Sequence, residues 1–257
     1  MDTPRVLLEH YLRQLRLPTM LGEFPKLAEQ CAKEGATFEQ FLLRLVEQEM
    51  LDRERRATER RIKAAKFPVS KSLETYDFLA IPSLNKKLVV ELARCEWIGR
   101  RENVLALGNS GTGKTHVALA LGLAACQQGL RVRFTTAAAL VTRLEEAQKQ
   151  YQLDRVLNGL DRTDLLICDE LGYLSFSRVG AKLLFQVFAD RYERRSLLVT
   201  SNLAFSEWGQ VFQGDRMTAA LLDRLTHRCQ IFEMNSESFR FRESMKNKKS
   251  KKASDKT

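Results

Sequence analysis

Residues 108–115 read Gly-Asn-Ser-Gly-Thr-Gly-Lys-Thr, which is the spacing G-x-x-x-x-G-K-T. A short apolar run, residues 103–107, precedes this stretch, and an Ala- and Leu-rich run, residues 116–127, follows it. A strand, a glycine-rich turn and a helix in that order form the context in which this motif binds phosphate. The glycines let the backbone wrap an anion closely, and the helix N-terminus faces the anion with N–H groups. The stretch therefore predicts a phosphate-binding loop in an α/β domain.

The chemistry of this loop predicts ATP and Mg²⁺ as cofactors. Lys114 would reach the β- and γ-phosphates, and the Thr115 hydroxyl would hold the metal ion. The predicted nucleotide-binding residues are Gly108, Asn109, Ser110, Gly111, Thr112, Gly113, Lys114, Thr115 and His116.

The 257-residue chain has a formal net charge of +10 and a pI of about 9.5. Residues 240–257 carry eight Lys and Arg against two acidic residues, so much of the excess lies there. Residues 246–257 have no apolar side chain except Ala253, which predicts a disordered tail. The basic excess favours a polyanionic partner, either nucleic acid or an acidic membrane surface.

The cysteines and the hydropathy pattern indicate the compartment. The five cysteines are odd in number and form no C-x-x-C pair, which predicts reduced thiols rather than a disulfide framework or a zinc site. The N-terminus has no signal-peptide pattern, and no apolar run approaches the length of a membrane span. We therefore expect a cytoplasmic protein with no membrane partner.

Residues 1–66 are predicted to form a small all-helical domain. Breaks are expected at Leu17-Pro18 and Phe24-Pro25, with a second helix near residues 26–33 that Gly35 ends. A third helix is expected to begin after this glycine and to continue to the end of the domain.

The third helix begins with a predicted capping box, Thr37 with Gln40, and would run to about Lys66. Its second half, residues 51–66, is rich in Arg and Lys. Such a pattern is found both in solvated helix faces with Glu–Arg pairs and in helices that contact nucleic-acid phosphates. The candidate DNA-contacting residues are Arg53, Arg55, Arg56, Arg60, Arg61, Lys63 and Lys66.

From residue 103 onwards, candidate strands alternate with candidate helices, which predicts a parallel sheet. The candidate strands are 103–107, 131–135, 164–169, 196–201 and 229–234, and the candidate helices are 114–127, 136–151, 178–193 and 217–227. One further helix, from Leu84 to about Trp97, would open the core. The predicted domains are a helical N-terminal domain (1–66), a linker (67–83), an ATPase core (84–240) and a basic, disordered tail (241–257).

Apolar residues near the end of the linker have two possible roles. They could pack on an adenine ring, although packing on the protein core is the more common role of such residues. The residues concerned are Tyr76, Phe78, Ile81 and Pro82.

Polar residues end two of the apolar strands. Asp169 is expected at the phosphate-loop edge of the sheet, where its charge can help hold Mg²⁺. Glu170, just past it, can polarise a water molecule for attack on the γ-phosphate, which favours hydrolysis over transfer to a small-molecule acceptor. Asn202 ends the next strand, and its amide can contact both the γ-phosphate and the attacking water.

These elements, followed by a late arginine, resemble the AAA+ ATPases. Over roughly residues 73–240 the chain more closely resembles the IstB family of insertion-sequence helper ATPases and the related DnaC-type helicase loaders. The fragments that carry the resemblance are Asn103-Val104-Leu105, Gly113-Lys114-Thr115-His116, residues 165–173, Arg191-Tyr192-Glu193-Arg194, Thr200-Ser201-Asn202, Glu207-Trp208, Asp223-Arg224-Leu225 and Ser238-Phe239-Arg240.

The resemblance implies a sheet order of 5-1-4-3-2 and ATP sites between neighbouring subunits of a homo-oligomer. It also implies an arginine finger, for which Arg224 is the best match. The fallback is Arg228, which we expect one turn further along the same helix. Few residues follow the last strand, so the helical lid of the wider superfamily is expected to be reduced or absent, with Arg240 as a reduced counterpart of its nucleotide-sensing arginine.

The predicted function is an ATPase that assembles on duplex DNA and recruits or stimulates the cognate transposase, with hydrolysis controlling release. Phosphate contacts would make the DNA binding largely indifferent to sequence. One alternative is a helicase loader of the DnaC type, which would prefer single strands. Another, less favoured because of Glu170, Asn202 and the basic tail, is a P-loop kinase for a small metabolite.

Overall fold

The computed structural model describes residues 3–82 and 84–235. The chain forms two compact units, Met1–Arg60, here the helical unit, and Arg61–Thr257, here the sheet unit. Arg240 and the predicted tail lie outside the described residues, and the predicted domain boundaries remain predictions. No described helix combines the length and the apolar character that crossing a membrane requires.

Three helices dominate the N-terminal part of the chain: α1 (Thr3–Gln14), α2 (Pro18–Glu34) and α3 (Phe38–Ala65). The capping box of α3 is confirmed, because the Thr37 N–H donates to Gln40 Oε1 (3.0 Å) and the Gln40 N–H donates to Thr37 Oγ1 (3.3 Å). Gly35 also ends α2 as predicted, with a φ of +68° and its N–H bonded to the Cys31 carbonyl.

The predicted break at Phe24-Pro25 is wrong, because α2 continues through Pro25. Glu49 from α3 explains why the helix starts early. Its Oε2 accepts the backbone N–H groups of Thr19 (2.8 Å) and Met20 (3.1 Å), which satisfies donors in the first turn of α2. This contact between helices stabilises a first turn that residues 17–25 alone do not predict.

The sheet unit contains a parallel sheet in the order β2-β3-β4-β1-β5. This is the predicted order read from the opposite edge. The strands are β1 (Asn103–Leu107), β2 (Val132–Thr136), β3 (Leu165–Leu171), β4 (Ser196–Ser201) and β5 (Cys229–Glu233). Helices cover both faces of the sheet, and the side chains of β3 show this division. Leu165 and Ile167 enter one apolar cluster, and Leu166 and Cys168 enter the other.

Most helices of the sheet unit match the predicted ones within a few residues. They are α6 (Lys114–Gln127), α7 (Ala137–Lys149), α9 (Arg178–Arg191) and α11 (Asp215–Thr226). Two short helices, α8 (Leu153–Asp161) and α10 (Trp208–Phe212), were not predicted.

The single helix predicted from Leu84 to Trp97 is wrong. The chain instead forms α4 (Lys86–Leu92) and α5 (Glu96–Gly99). Cys95 between them has a φ of +61°, outside the helical range. This break lets Trp97 become buried, with its indole N–H donating to the Leu92 carbonyl at 2.9 Å.

Candidate nucleotide-binding site

The phosphate loop connects β1 to the N-terminus of α6, as the sequence predicts. Gly108 leaves β1 with a φ of +138°, and a Cβ there would collide with the Met234 carbonyl. Gly113 precedes α6 with a φ of +86°, and a Cβ there would lie 3.0 Å from the Tyr76 ring. Both positions therefore require glycine for backbone conformation and for space.

Lys114 is held inside this loop and is only 9% exposed. Its ammonium group donates to the Gly108 and Asn109 carbonyls, each at 2.7 Å. A buried ammonium beside the N-terminus of a 14-residue helix makes a positive site lined by backbone N–H groups. These groups fit the phosphate chain of a nucleotide.

Asp169 lies beside the loop and is buried. Its carboxylate accepts hydrogen bonds from Thr115 Oγ1 (3.0 Å to each oxygen) and from Thr200 Oγ1 (2.5 Å). Two hydroxyls and one carboxylate form the hard oxygen set that Mg²⁺ prefers, usually completed by water and phosphate oxygens. The residues present therefore fit a Mg²⁺ ion held through Thr115 and Asp169.

Glu170 stands next to Asp169 but in a different backbone conformation. Its φ is +61°, and the pairing of β3 with β4 shifts register between Cys168 and Leu171. The Glu170 N–H donates to Thr200 Oγ1 at 2.9 Å, while its side chain is exposed. This bulge keeps the Asp169 side chain buried and directs that of Glu170 into an open cleft.

The cleft, of about 380 Å³, lies between the phosphate loop and the ends of β3 and β4. Asn202 lines it, directly after the last residue of β4. Ser201 fixes that turn, because its hydroxyl donates to the Leu171 carbonyl (2.7 Å) and accepts the Leu203 N–H (3.1 Å). The predicted catalytic residues of the chain's own site, Lys114, Glu170 and Asn202, thus line one cleft.

Part of the linker segment crosses the first turn of α6. The His116 ring N–H at Nε2 donates to the Ser72 carbonyl at 3.0 Å, and Thr75 Oγ1 lies 3.3 Å from the same nitrogen. Tyr76 packs edge-on against His116, with ring centroids 5.0 Å apart. Burial raises the pKa of Tyr76 to about 12, so its hydroxyl stays protonated.

Of the four candidate adenine-packing residues, Tyr76 and Ile81 line the cleft. Phe78 instead packs against Tyr76, and Pro82 is exposed. The cleft therefore has an apolar wall beside the phosphate loop, formed by residues that also pack on the core.

Arg224 lies on the exposed face of α11, with its guanidinium carbon 5.9 Å from the centroid of the Phe185 ring. The expectation that Arg228 follows one turn along the same helix is wrong, since α11 ends at Thr226. The Arg228 carbonyl accepts the Asn103 N–H at 2.8 Å, where β5 begins to pair with β1. The chain thus leaves the helical conformation before Arg228, whose carbonyl instead bonds to the first residue of β1.

The candidate DNA-contacting residues do not share one face. Arg53 and Arg56 form ion pairs with Glu49, and Arg55 forms ion pairs with Asp52 and Glu59. In the sheet unit, Arg61 donates to the Cys126 carbonyl at 3.2 Å. The exposed members of the set are Arg53, Arg55, Arg60, Lys63 and Lys66.

Sequence reasoning missed Thr200 as a residue of the site. This buried hydroxyl donates to Asp169 and accepts from the Glu170 backbone, so it contacts both acidic residues at the end of β3. The only sequence signal is a threonine two positions before Asn202, and it becomes informative only once the sheet order pairs β3 with β4.

Comparisons with known proteins agree with this geometry. Residues 10–247 match the family described as IstB-like ATP binding protein. A putative insertion sequence ATP-binding protein of Sinorhizobium fredii is 41% identical, over 93% of this chain and 80% of its own length. The IS21 putative ATP-binding protein of Pseudomonas aeruginosa is 38% identical, over 93% of this chain and 90% of its own length.

Solved structures show the fold. The replication initiator DnaA bound to AMPPCP and single-stranded DNA gives a TM-score of 0.53 at 23% identity, over 68% of this chain and 54% of DnaA. DnaI gives 0.55 at 16% identity, over 64% of this chain and 90% of that chain. The sheet unit thus has an AAA+ fold, and the chain as a whole belongs to the family of IstB-like ATP-binding proteins of insertion sequences.

Proposed function

We propose that this protein is a Mg²⁺-dependent ATPase that assembles on duplex DNA and recruits or stimulates the transposase of its insertion sequence. The observation that carries the ATPase part is the convergence of Lys114, Glu170 and Asn202 on one cleft beside the phosphate loop. The buried Asp169 is hydrogen-bonded to Thr115, which also lines this cleft. The relatives are named as ATP-binding proteins of insertion sequences, which supports the transposition context.

Each residue of the cleft has a step to perform in hydrolysis. Lys114 neutralises charge on the β- and γ-phosphates, and Mg²⁺, held through Thr115 and Asp169, supplies further neutralisation when bound. Glu170 accepts a proton from the attacking water as the water oxygen bonds to the γ-phosphorus and the bond to the β–γ bridging oxygen breaks. Asn202 donates its amide N–H to a γ-phosphate oxygen and orients the same water.

Assembly would complete each site from the neighbouring subunit. The exposed Arg224 serves as an arginine finger and adds positive charge to the partner's transition state only when subunits are docked. Such an arrangement couples hydrolysis to the assembled, DNA-bound form, since an isolated subunit lacks one cation of the site.

DNA binding by the Glu170→Gln variant, with ATP and with ADP, is the direct test. Labelled duplex and single-stranded oligonucleotides of equal length are compared, and the complexes are sized. We expect the variant to bind ATP, to hydrolyse it at least about 100-fold more slowly than the wild type, and to form large, long-lived assemblies on duplex. Lys114→Ala should bind neither nucleotide, and Glu146→Gln, an exposed carboxylate on α7, is the matched control.

The outcomes separate the alternatives. Hydrolysis by Glu170→Gln at the wild-type rate would contradict the assignment of the base. A preference for single strands, or no DNA binding until a replicative helicase is added, would favour a helicase loader. ATP consumption that requires an added small-molecule acceptor would favour a kinase.

A further inference from the structure

The helical unit contains an open groove of about 800 Å³ where α1 meets α2 and both meet α3. Five arginines line it, from the end of α1, from the α1–α2 connection and from one face of α3: Arg13, Arg16, Arg53, Arg56 and Arg60. The single acidic residue of the lining is Glu49, so the lining has a formal charge of +4. The remaining lining residues are leucines and a proline.

The α3 arginines reach this groove because of their spacing. Glu49, Arg53, Arg56 and Arg60 follow one another at intervals of four, three and four residues, which places them on one face of a helix. Arg55 stands on another face of α3 and pairs with Asp52 and Glu59. The basic residues of the stretch 51–66 therefore lie on different faces of α3, and only some of them line the groove.

Glu49 is fully engaged and leaves little negative charge for the groove. It is 3% exposed, its Oε2 caps α2, and its Oε1 accepts from Arg53 (3.4 Å) and Arg56 (3.3 Å). Arg53 also donates to the Arg16 carbonyl at 3.1 Å, and this bond secures the connection that carries Arg16. Arg53 and Arg56 therefore hold the shape of the groove.

The guanidinium groups of Arg16 and Arg60, unlike those of Arg53 and Arg56, are not held by Glu49. Both residues are exposed, and neither forms an ion pair with any residue in the described part of the chain. Arg13, also on the lining, pairs with Glu9 across one turn of α1. Two guanidinium groups thus face an open, positively charged groove with their donors available to an external anion.

We propose that this arginine groove is a docking site for the sugar–phosphate backbone of duplex DNA, with Arg16 and Arg60 contacting phosphates. This inference rests on the proposed DNA-binding function. A guanidinium pairs with a phosphate through two parallel N–H donors, and an open groove lets separate arginines bind separate phosphates without a fixed sequence. The apolar part of the lining suits the deoxyribose rings between those phosphates.

The test measures duplex affinity of the full-length protein with ATP as salt rises from about 50 to about 200 mM. The groove variant is Arg16→Gln/Arg60→Gln. The matched control is Lys26→Gln/Arg44→Gln, which removes the same charge from exposed residues of the helical unit that already have acidic partners. Helix content and ATP affinity are checked for both proteins.

A plot of log affinity against log salt concentration falls with a slope of about −0.9 for each phosphate contact, so each lost contact makes the slope less steep by about 0.9. We therefore expect the slope of the groove variant to be less steep by about 2, and its affinity for duplex to be about 10-fold weaker. The control should keep the wild-type slope. The charge-preserving variant Arg16→Lys/Arg60→Lys should retain most of the slope.

Several outcomes would overturn the inference. One is that the groove variant and the control lose duplex affinity equally, or that neither loses any. Another is that the lysine variant loses as much duplex affinity as the glutamine variant. If the groove variant binds duplex normally but loses stimulation of the transposase, the groove belongs to an acidic protein partner instead. If wild-type protein with ATP does not bind duplex at all, the proposed function itself fails, which is a different result.

Discussion

The interior of the sheet unit is mainly apolar, whereas a buried carboxylate organises the packing of the helical unit. In the sheet unit, two apolar clusters cover the two faces of the sheet. In the helical unit, the buried residues include Leu12, Cys31 and Leu45 beside the polar Thr19 and Glu49, and Phe38 remains 92% exposed. Burial of apolar area contributes about 25 cal/mol per Å², so it stabilises the sheet unit far more.

Because of this difference, we expect the loss of a buried polar contact to have different effects on stability in the two units. Where an extended apolar core holds many elements together, losing one buried polar contact should lower the stability of the whole unit. Where a few specific contacts hold three helices, the same loss should open one helix locally and leave the rest of the protein unchanged. The predictions below test this contrast in each unit.

The largest effect is expected at Arg191, which is buried in the sheet unit and 3% exposed. Its guanidinium donates to the carbonyls of Leu160, Thr163 and Ser196, each at 3.0 Å, and burial lowers its pKa to about 10. Arg191→Met removes all three of these buried hydrogen bonds, and we expect it to lower the free energy of unfolding of the sheet unit by about 3–5 kcal/mol. Urea unfolding followed by tryptophan fluorescence measures this loss.

The exposed Arg194 provides the control, and Arg194→Met should change stability by less than about 0.5 kcal/mol. Arg191→Lys should rescue only part of the loss, because one ammonium cannot span carbonyls that a planar guanidinium reaches in several directions. If Arg191→Met and Arg194→Met unfold at the same urea concentration, then the buried contacts of Arg191 do not stabilise the sheet unit as a whole.

The next effect is expected at Glu49 in the helical unit. Glu49→Ala removes the acceptor of the Thr19 and Met20 N–H groups and the acidic partner of Arg53 and Arg56, which should cost about 2–3 kcal/mol in local stability. Amide hydrogen exchange in α2 should therefore become about 30- to 140-fold faster. Peptides from the sheet strands should exchange as in the wild type.

Glu47→Ala, at an exposed position of α3, is the control for the loss of a glutamate and should leave exchange in α2 nearly unchanged. If Glu49→Ala instead speeds exchange throughout the sheet unit, the helical unit is not an independent folding element. Such a result would require a common core for the two units.

The sequence predicted the parts of the molecule whose signals are local. The phosphate loop, the apolar strand that carries Asp169 and the capping box at Thr37 each lie within a few consecutive residues. The sheet order came from the family resemblance rather than from the residues themselves, and it is correct.

The features that the sequence did not predict depend on contacts between distant residues. The first turn of helix α2 is capped by Glu49, which lies far along the chain, and the role of Thr200 follows only from the pairing of β4 with β3. The fragment Arg191-Tyr192-Glu193-Arg194 supported the family assignment. The structure adds its physical role, because Arg191 binds backbone carbonyls inside the sheet unit.

A third prediction concerns Thr200, the hydroxyl that contacts both acidic residues of the cleft. Thr200→Val keeps the shape of the side chain but removes its hydrogen bonds, so Glu170 loses the contact that holds its φ of +61°. We expect kcat for ATP hydrolysis to fall by about 10- to 100-fold while KM for ATP changes by less than about 3-fold. Steady-state phosphate release measures both constants.

Thr200→Ser restores the hydroxyl and should recover most of kcat. A purely structural role would instead lower thermal stability in Thr200→Val and would raise KM together with the fall in kcat. An unchanged kcat in Thr200→Val would mean that the bulge at Glu170 does not need the contact with β4.

The smallest effect is expected at the capping box of α3 in the helical unit. Thr37→Ala removes the acceptor of the Gln40 N–H, and such a loss typically costs about 1 kcal/mol. Hydrogen exchange at the first turn of α3 should rise by about 5-fold, without change in ATP hydrolysis. Gln48→Ala, at an exposed interior position of the same helix, should leave that turn unaffected. If Thr37→Ala slows ATP hydrolysis as well, then the helical unit influences the nucleotide site, and the two units do not respond independently to mutation.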